Sequence, residues 1–532
     1  MKATYIDYSD TNSFSTTLLS YLSHDPQLEP YISNWPTAEN FNTLIDRKKS
    51  TANRDILVKV LKRQYSDPGY QTNESQLVHE NITSLLSEDT YTVTTGHQLN
   101  IFTGPLYFIY KIVTAVNLAT ELKASHPDKN FIPVYWMATE DHDFEEINNV
   151  KVHGKKFTWN EDAKGATGRI DPISIRDTLK AYENTLGILE NSKTLSAILE
   201  EAYLNHTTLS DATRYLVHHL FSAYGLVILD ADDAELKREF ASIIKEDILH
   251  QKSFSAISAT SKSLKESGFE TQVHSREINF FYLTDKLRER IVFENNQWRV
   301  LNTSITLNKD ELEVEIENHP ERFSPNVVMR PLYQEVILPN LAYIGGGAEI
   351  VYWLQLKRNF EQYNVDFPIL VLRNSALITA RTFSDKLSRL KISVEDIFKD
   401  SAILKKEWVI NNSNHKLSLA DELLEFSFVF ENLKLRAYKI DPTLAASTEA
   451  VKVRLEKALA NLERKLIKAE KKNYEEVLSQ IDHLRTKYFP GNGLQERTEN
   501  FGIFYADLGG DFIHELVLHF KPLDFKFTIL ES

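Results

Sequence analysis

The 532 residues contain no cysteine. Disulfides, Cys-ligated zinc, iron–sulfur clusters and thiolate nucleophiles are therefore excluded. Glycine (17) and proline (16) are scarce, well under the roughly 7% and 5% of an average protein. A collagen-like or Pro/Gly-rich disordered chain is excluded, and any cluster of glycines becomes informative. No run of 18 apolar residues occurs, so no transmembrane helix is expected. The start, Met1-Lys2-Ala3-Thr4-Tyr5-Ile6-Asp7, lacks the apolar region of a signal peptide. These features predict a soluble, cytoplasmic protein. The excess of acid over base, 61 Lys+Arg against 75 Asp+Glu for a net charge of −14, argues against a general nucleic-acid coat, though not against a local basic groove. What is plentiful is apolar mass: 42% hydrophobic residues, with 6 Trp, 23 Tyr and 29 Phe. That suffices for a large core in a chain of roughly three to four units.

Apolar runs of strand character recur at Tyr91 to Thr95, Phe131 to Ala138, Gly225 to Asp230, Val336 to Ile344 and Phe367 to Arg373. The second reads as a strand buried on both faces and the three after it are similar, while helical patterns alternate with the runs, which predicts a parallel, doubly wound sheet. Residues 1 to 88 read mainly as helix. The intervals after Ala138 and Asp230 are far longer than the dozen or so residues a crossover needs and predict insertions near 150–220 and 245–330. The second should hold β-hairpins between Gln272 and Asn308. The predicted core spans 1–375.

From 376 to 490 the pattern is helical. Leu419, Leu423, Phe426, Phe430, Leu433, Ala437 and Ile440 follow coiled-coil 4-3 spacing. After Asp441-Pro442 a second seam runs Leu455, Leu459, Leu462, Leu466, then slips by one to Ile467, Tyr474, Leu478, Ile481 and Tyr488. An antiparallel hairpin whose surplus apolar faces form a homodimer is the simplest reading. Residues 491–532 are expected to pack back on the core.

Three polar turns carry candidate chemistry. The loop Gly96-His97-Gln98 to Thr103-Gly104 lies between a strand and an apolar helix, with Pro105 placed for the helix start; backbone amides and the helix dipole there favour an anion. It is neither a Walker loop nor a dinucleotide fingerprint. Glu140-Asp141-His142-Asp143 ends the next strand, where open α/β sheets bind ligands. It supplies Asp141, His142 and Asp143 as candidate proton-transfer groups and Glu140 as a substrate contact, and it would also cap the helix at Phe144-Glu145-Glu146-Ile147. Without a His-Glu-x-x-His pair no metal site is assigned. Gly345-Gly346-Gly347, followed by Glu349, Tyr352 and Trp353, answers a demand for free φ or for close approach of a ligand; Glu349 suits the ammonium of an amino acid, the glycine amides its carboxylate. Thr260-Ser261-Lys262-Ser263 and His218-His219 read as helix faces, while Asp230-Ala231-Asp232-Asp233 would hold a ribose or cap a helix.

These blocks, Thr95-Gly96-His97-Gln98, Thr103 to Tyr107, Pro133 to Asn148, Arg330-Pro331-Leu332-Tyr333-Gln334-Glu335, Leu338 to Trp353 and Leu494-Gln495-Glu496-Arg497, resemble the cysteine-ligase family of bacillithiol biosynthesis across essentially the whole chain. His97 departs from that pattern, which has glutamine there. The resemblance implies a Rossmann-like core of class I synthetase type with two connecting insertions and a C-terminal coiled coil that dimerises. It implies a ligase that joins L-cysteine to the amine of glucosaminyl-malate, the substrate bringing the thiol that the chain lacks. It adds Gln334 to the substrate contacts.

Making an amide from a free carboxylate is uphill in water, so ATP, giving an adenylate or an acyl phosphate with ADP, is the expected energy source, accompanied by Mg²⁺. The nucleotide is expected near Gly96 to Gly104; a site beside Arg497 and Asn500 stays open. No nucleic acid or membrane partner is expected. A related nucleotidyltransferase acting on another substrate, or a non-catalytic coiled-coil scaffold, are the alternatives.

Overall fold

A computed structural model describes residues 1–48 and 50–532. The chain divides into two compact units: residues 1–9, 13–377 and 495–530 form the first, and 10–12, 378–494 and 531–532 the second.

The first unit is built on five parallel strands, β1 (Thr90–His97), β2 (Asn130–Met137), β3 (Val227–Asp230), β4 (Asn340–Gly345) and β5 (Ile369–Leu372). Their spatial order is β3-β2-β1-β4-β5, the doubly wound Rossmann order with its reversal between β1 and β4. Helix α1 (Tyr107–Ser125) starts two residues after Pro105, whose expected place at the helix start is instead an isolated bridge to Asn500. Ala115, Leu118 and Leu122 of α1 pack with Val93, Phe131, Leu341, Ile344, Ile369 and Val371 in the sheet's core. Truncating Leu118 there would cost about 2–5 kcal/mol. Fully buried Asn340 accepts hydrogen bonds from the Thr92 and Thr94 hydroxyls (3.0 and 2.8 Å), which accounts for a threonine-rich strand in an apolar core. A register shift at Leu341 bulges β4 against β1.

Several boundaries differ from expectation. The N-terminus opens with a strand, Lys2–Asp7, before its helices. Val336 and Ile337 end a helix, Arg330–Ile337, rather than beginning β4, because Pro331 starts that helix and Pro339 breaks the chain before the strand. The helix after the triple glycine, α2 (Gly347–Trp353), is short, and a second one follows at Lys357–Gln362. The later insertion carries an antiparallel sheet of Phe280–Thr284, Leu287–Glu294, Gln297–Val300, Thr306–Leu307 and Phe323–Pro325.

The second unit is helical. Helices α3 (Ala420–Ile440) and α4 (Thr443–Lys471) form an antiparallel hairpin, as the ion pairs Lys434–Glu449 (2.7 Å) and Lys452–Glu431 (2.9 Å) require. A 3₁₀ turn, Lys472–Tyr474, separates α4 from the helix Glu475–Tyr488, close to the slip in the second seam. The first seam is corrected: the line facing α4 is Leu423, Ser427, Phe430, Lys434 and Ala437. Phe426, Leu433 and Ile440 from the expected seam are exposed, Ile440 to 81%. Among the described residues no helix is long and apolar enough to cross a membrane.

Candidate active site

At the reversal between β1 and β4 lies a cavity of about 980 Å³. All three polar turns reach it: Gly96 and His97 at the end of β1 with Gln98 just after it, Glu140, Asp141 and His142 after β2, and Gly346, Gly347, Glu349 and Tyr352 after β4, with Arg497 also on its wall. The inserted antiparallel sheet forms the facing wall with Phe281, Arg288 and Arg290. Arg288 and Arg290 stand two apart on one strand, so both side chains leave the same face.

Glu349 is held from three sides. Tyr343 Oη donates to Oε1 (2.8 Å), the Gly346 amide donates to Oε2 (2.7 Å), and Lys111 forms an ion pair with Oε2. Burial, the largest influence, raises its pKa, but the Lys111 charge and the hydrogen bonds from Lys111, Gly346 and Tyr343 together hold it below the usual range. Lys111, buried in the otherwise apolar α1, also donates to the Gly96 carbonyl (2.8 Å), tying the ends of β1 and β4 together. Glu349 is thus already neutralised and is not a free receptor for an ammonium. None of the three glycines has a positive φ; at Gly347 a Cβ would come within 2.8 Å of Leu18 Cδ2, so close packing rather than turn geometry demands the glycine there.

Asp141 is equally committed. Its Oδ2 accepts from Gln98 Nε2 (2.7 Å), its Oδ1 from the His142 amide (2.7 Å), and Arg288 lies 3.9 Å away. Burial raises the carboxyl, but these bonds and the Arg288 charge hold it well below the usual carboxylate range, which makes it a weak base at neutral pH. Arg288 Nη1 donates to His142 Nδ1 (2.7 Å), so that nitrogen is the unprotonated one and Nε2 bears the hydrogen. Asp143 is exposed, lies outside the cavity lining and does not cap the helix through its side chain; Asp141 takes its amide instead. Glu140 pairs with Lys237 (2.6 Å), and burial raises its carboxyl against that attraction. His97 accepts the Gln98 amide at Nδ1 (2.9 Å). Burial, aided by Lys111 and Arg373, lowers its pKa to about 3, so the ring stays neutral.

Six further expected contacts lie outside the lining. Thr103 and Gly104 belong to a tight turn with positive φ at both (68° and 65°), and a Cβ at Gly104 would sit 2.7 Å from Asn100 Cβ. Asn500 is not placed for a nucleotide: fully buried, it donates to the Phe102 and Gly104 carbonyls (2.8 and 2.6 Å) and accepts from Tyr182 Oη. Gly345 receives the Arg373 amide at its carbonyl. Trp353 is buried and stacks on Tyr343 with ring centroids 4.3 Å apart. Gln334 is buried behind Arg330. Of the weaker motifs, Asp233 caps the helix Ala234–His250 and Asp232 pairs with Arg169 (2.9 Å), while buried His218 bonds Ser75 (2.7 Å).

The residues missed from sequence are mainly cations: Lys111, Arg276, Arg288, Arg290, Arg330 and Arg373. A lone lysine in an apolar helix and alternating arginines in a strand were the available signals. Arg373 is matched by fully buried Glu496 (2.7 Å). Arg330 lies over the rings of Trp136 and Tyr343 (5.8 and 5.6 Å).

Strand order and cleft together define a Rossmann-like protein with a cavity at its topological switch point. Residues 1–374 match the family model described as bacillithiol biosynthesis BshC, N-terminal Rossmann-like domain, and 376–532 match the model for the C-terminal coiled-coil domain of BshC. The chain belongs to the bacillithiol biosynthesis BshC family. Similar proteins include those of Flavobacterium johnsoniae (44% identity, covering 99% of each chain), Flavobacterium psychrophilum (42%, 99% of each) and Cytophaga hutchinsonii (37%, 98% of this chain and 97% of that one), each named "Putative cysteine ligase BshC".

Proposed function

We propose that this protein is a ligase that joins L-cysteine to the amine of glucosaminyl-malate at the switch-point cavity, driven by ATP. The observation that carries the reading is a mismatch of charge. The lining carboxylates are already partnered: Glu140 by Lys237, Asp141 by Gln98 and Arg288, Asp232 by Arg169, and Glu349 by Lys111. Among the described residues Arg276, Arg290, Arg330 and Arg497 line the same cavity without a carboxylate partner. Unmatched guanidiniums in a cleft call for anionic ligands, as the two carboxylates of a malate and the phosphates of a nucleotide both are. The names of the relatives support cysteine as the other substrate.

ATP would convert the cysteine carboxylate into an adenylate with loss of pyrophosphate, or into an acyl phosphate with loss of ADP; the sugar amine then attacks the acyl carbon and the phosphate-bearing group departs. The amide of Gly347 would serve the carboxyl under attack, that of Gly346 being taken by Glu349. His142, exposed in the cavity, is the best-placed proton acceptor of the Asp141–Asp143 stretch, and takes the proton at Nδ1 as Arg288 moves from that nitrogen to the bound anion. No three metal-ligating side chains cluster among the described residues, so the protein offers no cage for Mg²⁺, which would arrive on the nucleotide's own phosphates.

The exposed apolar stripe of α3, with Leu424 at 75% and Phe428 at 72%, supports a homodimer formed through the hairpin. Incubating purified protein with cysteine and glucosaminyl-malate, with and without ATP and Mg²⁺, and reading product mass tests the reaction. The expected result is the amide product only with ATP; no product under any condition refutes the assignment.

A further inference from the structure

Gln334 and Glu335 do not touch the cavity, yet both are tied to a residue that does. Arg330 Nη1 donates to Gln334 Oε1 (3.0 Å), and Gln334 Nε2 donates to Glu335 Oε1 (2.9 Å). The same carboxylate oxygen accepts from Asn340 Nδ2 (2.7 Å), and Asn340 is fixed in turn by the Thr92 and Thr94 hydroxyls. The direction of the chain is forced. Glu335 Oε1 accepts from Asn340 and so carries no proton whatever the state of Oε2; the amide beside it must present its NH₂, so Gln334 turns its oxygen toward Arg330. With Glu335 absent the amide could rotate and meet the guanidinium with its own N–H groups. Gln334 is fully buried and Glu335 is 7% exposed, so water cannot substitute for either contact.

We propose that Glu335 and Gln334 are positioning residues that aim the Arg330 guanidinium at the anion in the cavity, anchoring it through Asn340 to the central sheet. The inference rests on the anionic cavity argued above and deepens it. The acceptor is a neutral amide, so Arg330 is held in place without its charge being quenched. A carboxylate there would hold it equally well and cancel it, as Glu496 does for Arg373. The unquenched charge suits a carboxylate or phosphate group on the ligand. The Trp136 and Tyr343 faces keep the guanidinium plane from swinging away.

Calorimetric titration of the full chain with malate, and separately with inorganic pyrophosphate, tests this and tells a carboxylate ligand from a phosphate one. Gln334→Leu and Glu335→Leu should each weaken the bound anion about tenfold. Glu335→Gln, whose amide oxygen can still accept from Gln334 and Asn340, should recover most of that loss. In turnover the Leu variants should raise KM for the anionic substrate more than they lower kcat. Wild-type affinity in Gln334→Leu with native circular dichroism overturns the positioning role alone. Failure of wild-type protein to bind either anion overturns the cavity reading and the positioning role with it. Should the Leu variants not fold, Gln334→Glu decides: it keeps an oxygen on Arg330 but supplies the quenching charge, and undiminished anion binding there refutes the proposal.

Discussion

The two units spend their apolar residues differently. In the first, the sheet buries Val93, Ile344 and Val371 completely, and the polar residues among them are paired with one another, as Asn340 is with two threonines. In the second, α3 and α4 meet along a thin line centred on Phe430 and leave Leu424, Phe428, Leu435 and Ile440 at 61–81% exposure. One unit is closed by its own sequence. The other carries an apolar surface that its own helices do not cover. Loss of a core partner should therefore cost folding energy, whereas loss of a hairpin residue should cost association.

The largest expected effect is at Lys111. Lys111→Met strands Glu349 as an unpaired, largely buried charge, a loss on the order of 3–5 kcal/mol. It should appear as a melting temperature lowered by several degrees, along with loss of ligase activity; an unchanged melting curve would mean that the ion pair is dispensable. Next comes Glu335. Burial, opposed by Lys48 and by bonds from Gln334 and Asn340, raises its pKa from 4.5 to about 7. The folded state thus holds a proton that the unfolded chain has released, and stability falls as pH rises from 4.5 to 7, by up to ~3 kcal/mol. Glu183, raised likewise to about 7 by burial, acts in the same window. The difference between wild type and Glu335→Gln in urea titrations at pH 5 and pH 8 isolates the Glu335 share, which disappears from the comparison if both proteins show the same slope.

A smaller effect is expected at Asp141. Asp141→Asn keeps the size of the side chain but weakens its hold on Gln98 and Arg288, and should lower kcat roughly tenfold without shifting an acid limb near neutrality, because this carboxyl titrates far below it. A new or displaced limb would restore it as the base. The smallest change in folding belongs to the hairpin. Leu424→Ser with Phe428→Ser should leave unfolding free energy of the protomer within about 0.5 kcal/mol while halving the mass in sedimentation; an unaltered mass would place the dimer contact elsewhere.

Much of this was legible beforehand because it follows from local pattern. Runs such as Phe131 to Ala138 are typical of strands buried on both faces, and in a parallel sheet the turns that end them gather at one edge. The coiled-coil spacing likewise announced a hairpin, yet the inward stripe includes Ser427 and Lys434, polar residues that a search for apolar spacing passes over. Site membership was harder. Thr103 and Gly104 lie beside the motifs but form a tight turn, and Asn500, about 400 residues away in the chain, satisfies that turn's carbonyls. Arg288 and Arg290 went unnoticed because an isolated arginine on a strand looks like solvated surface until an inserted sheet folds over the cavity.

The buried pair of Arg373 and Glu496 joins a cation on the cavity wall to an anion 123 positions later. During synthesis the sheet can be complete well before residue 496 leaves the ribosome, and until then the cleft carries a guanidinium with no counter-charge. Docking of the segment that bears Glu496 therefore completes the charge balance of this wall.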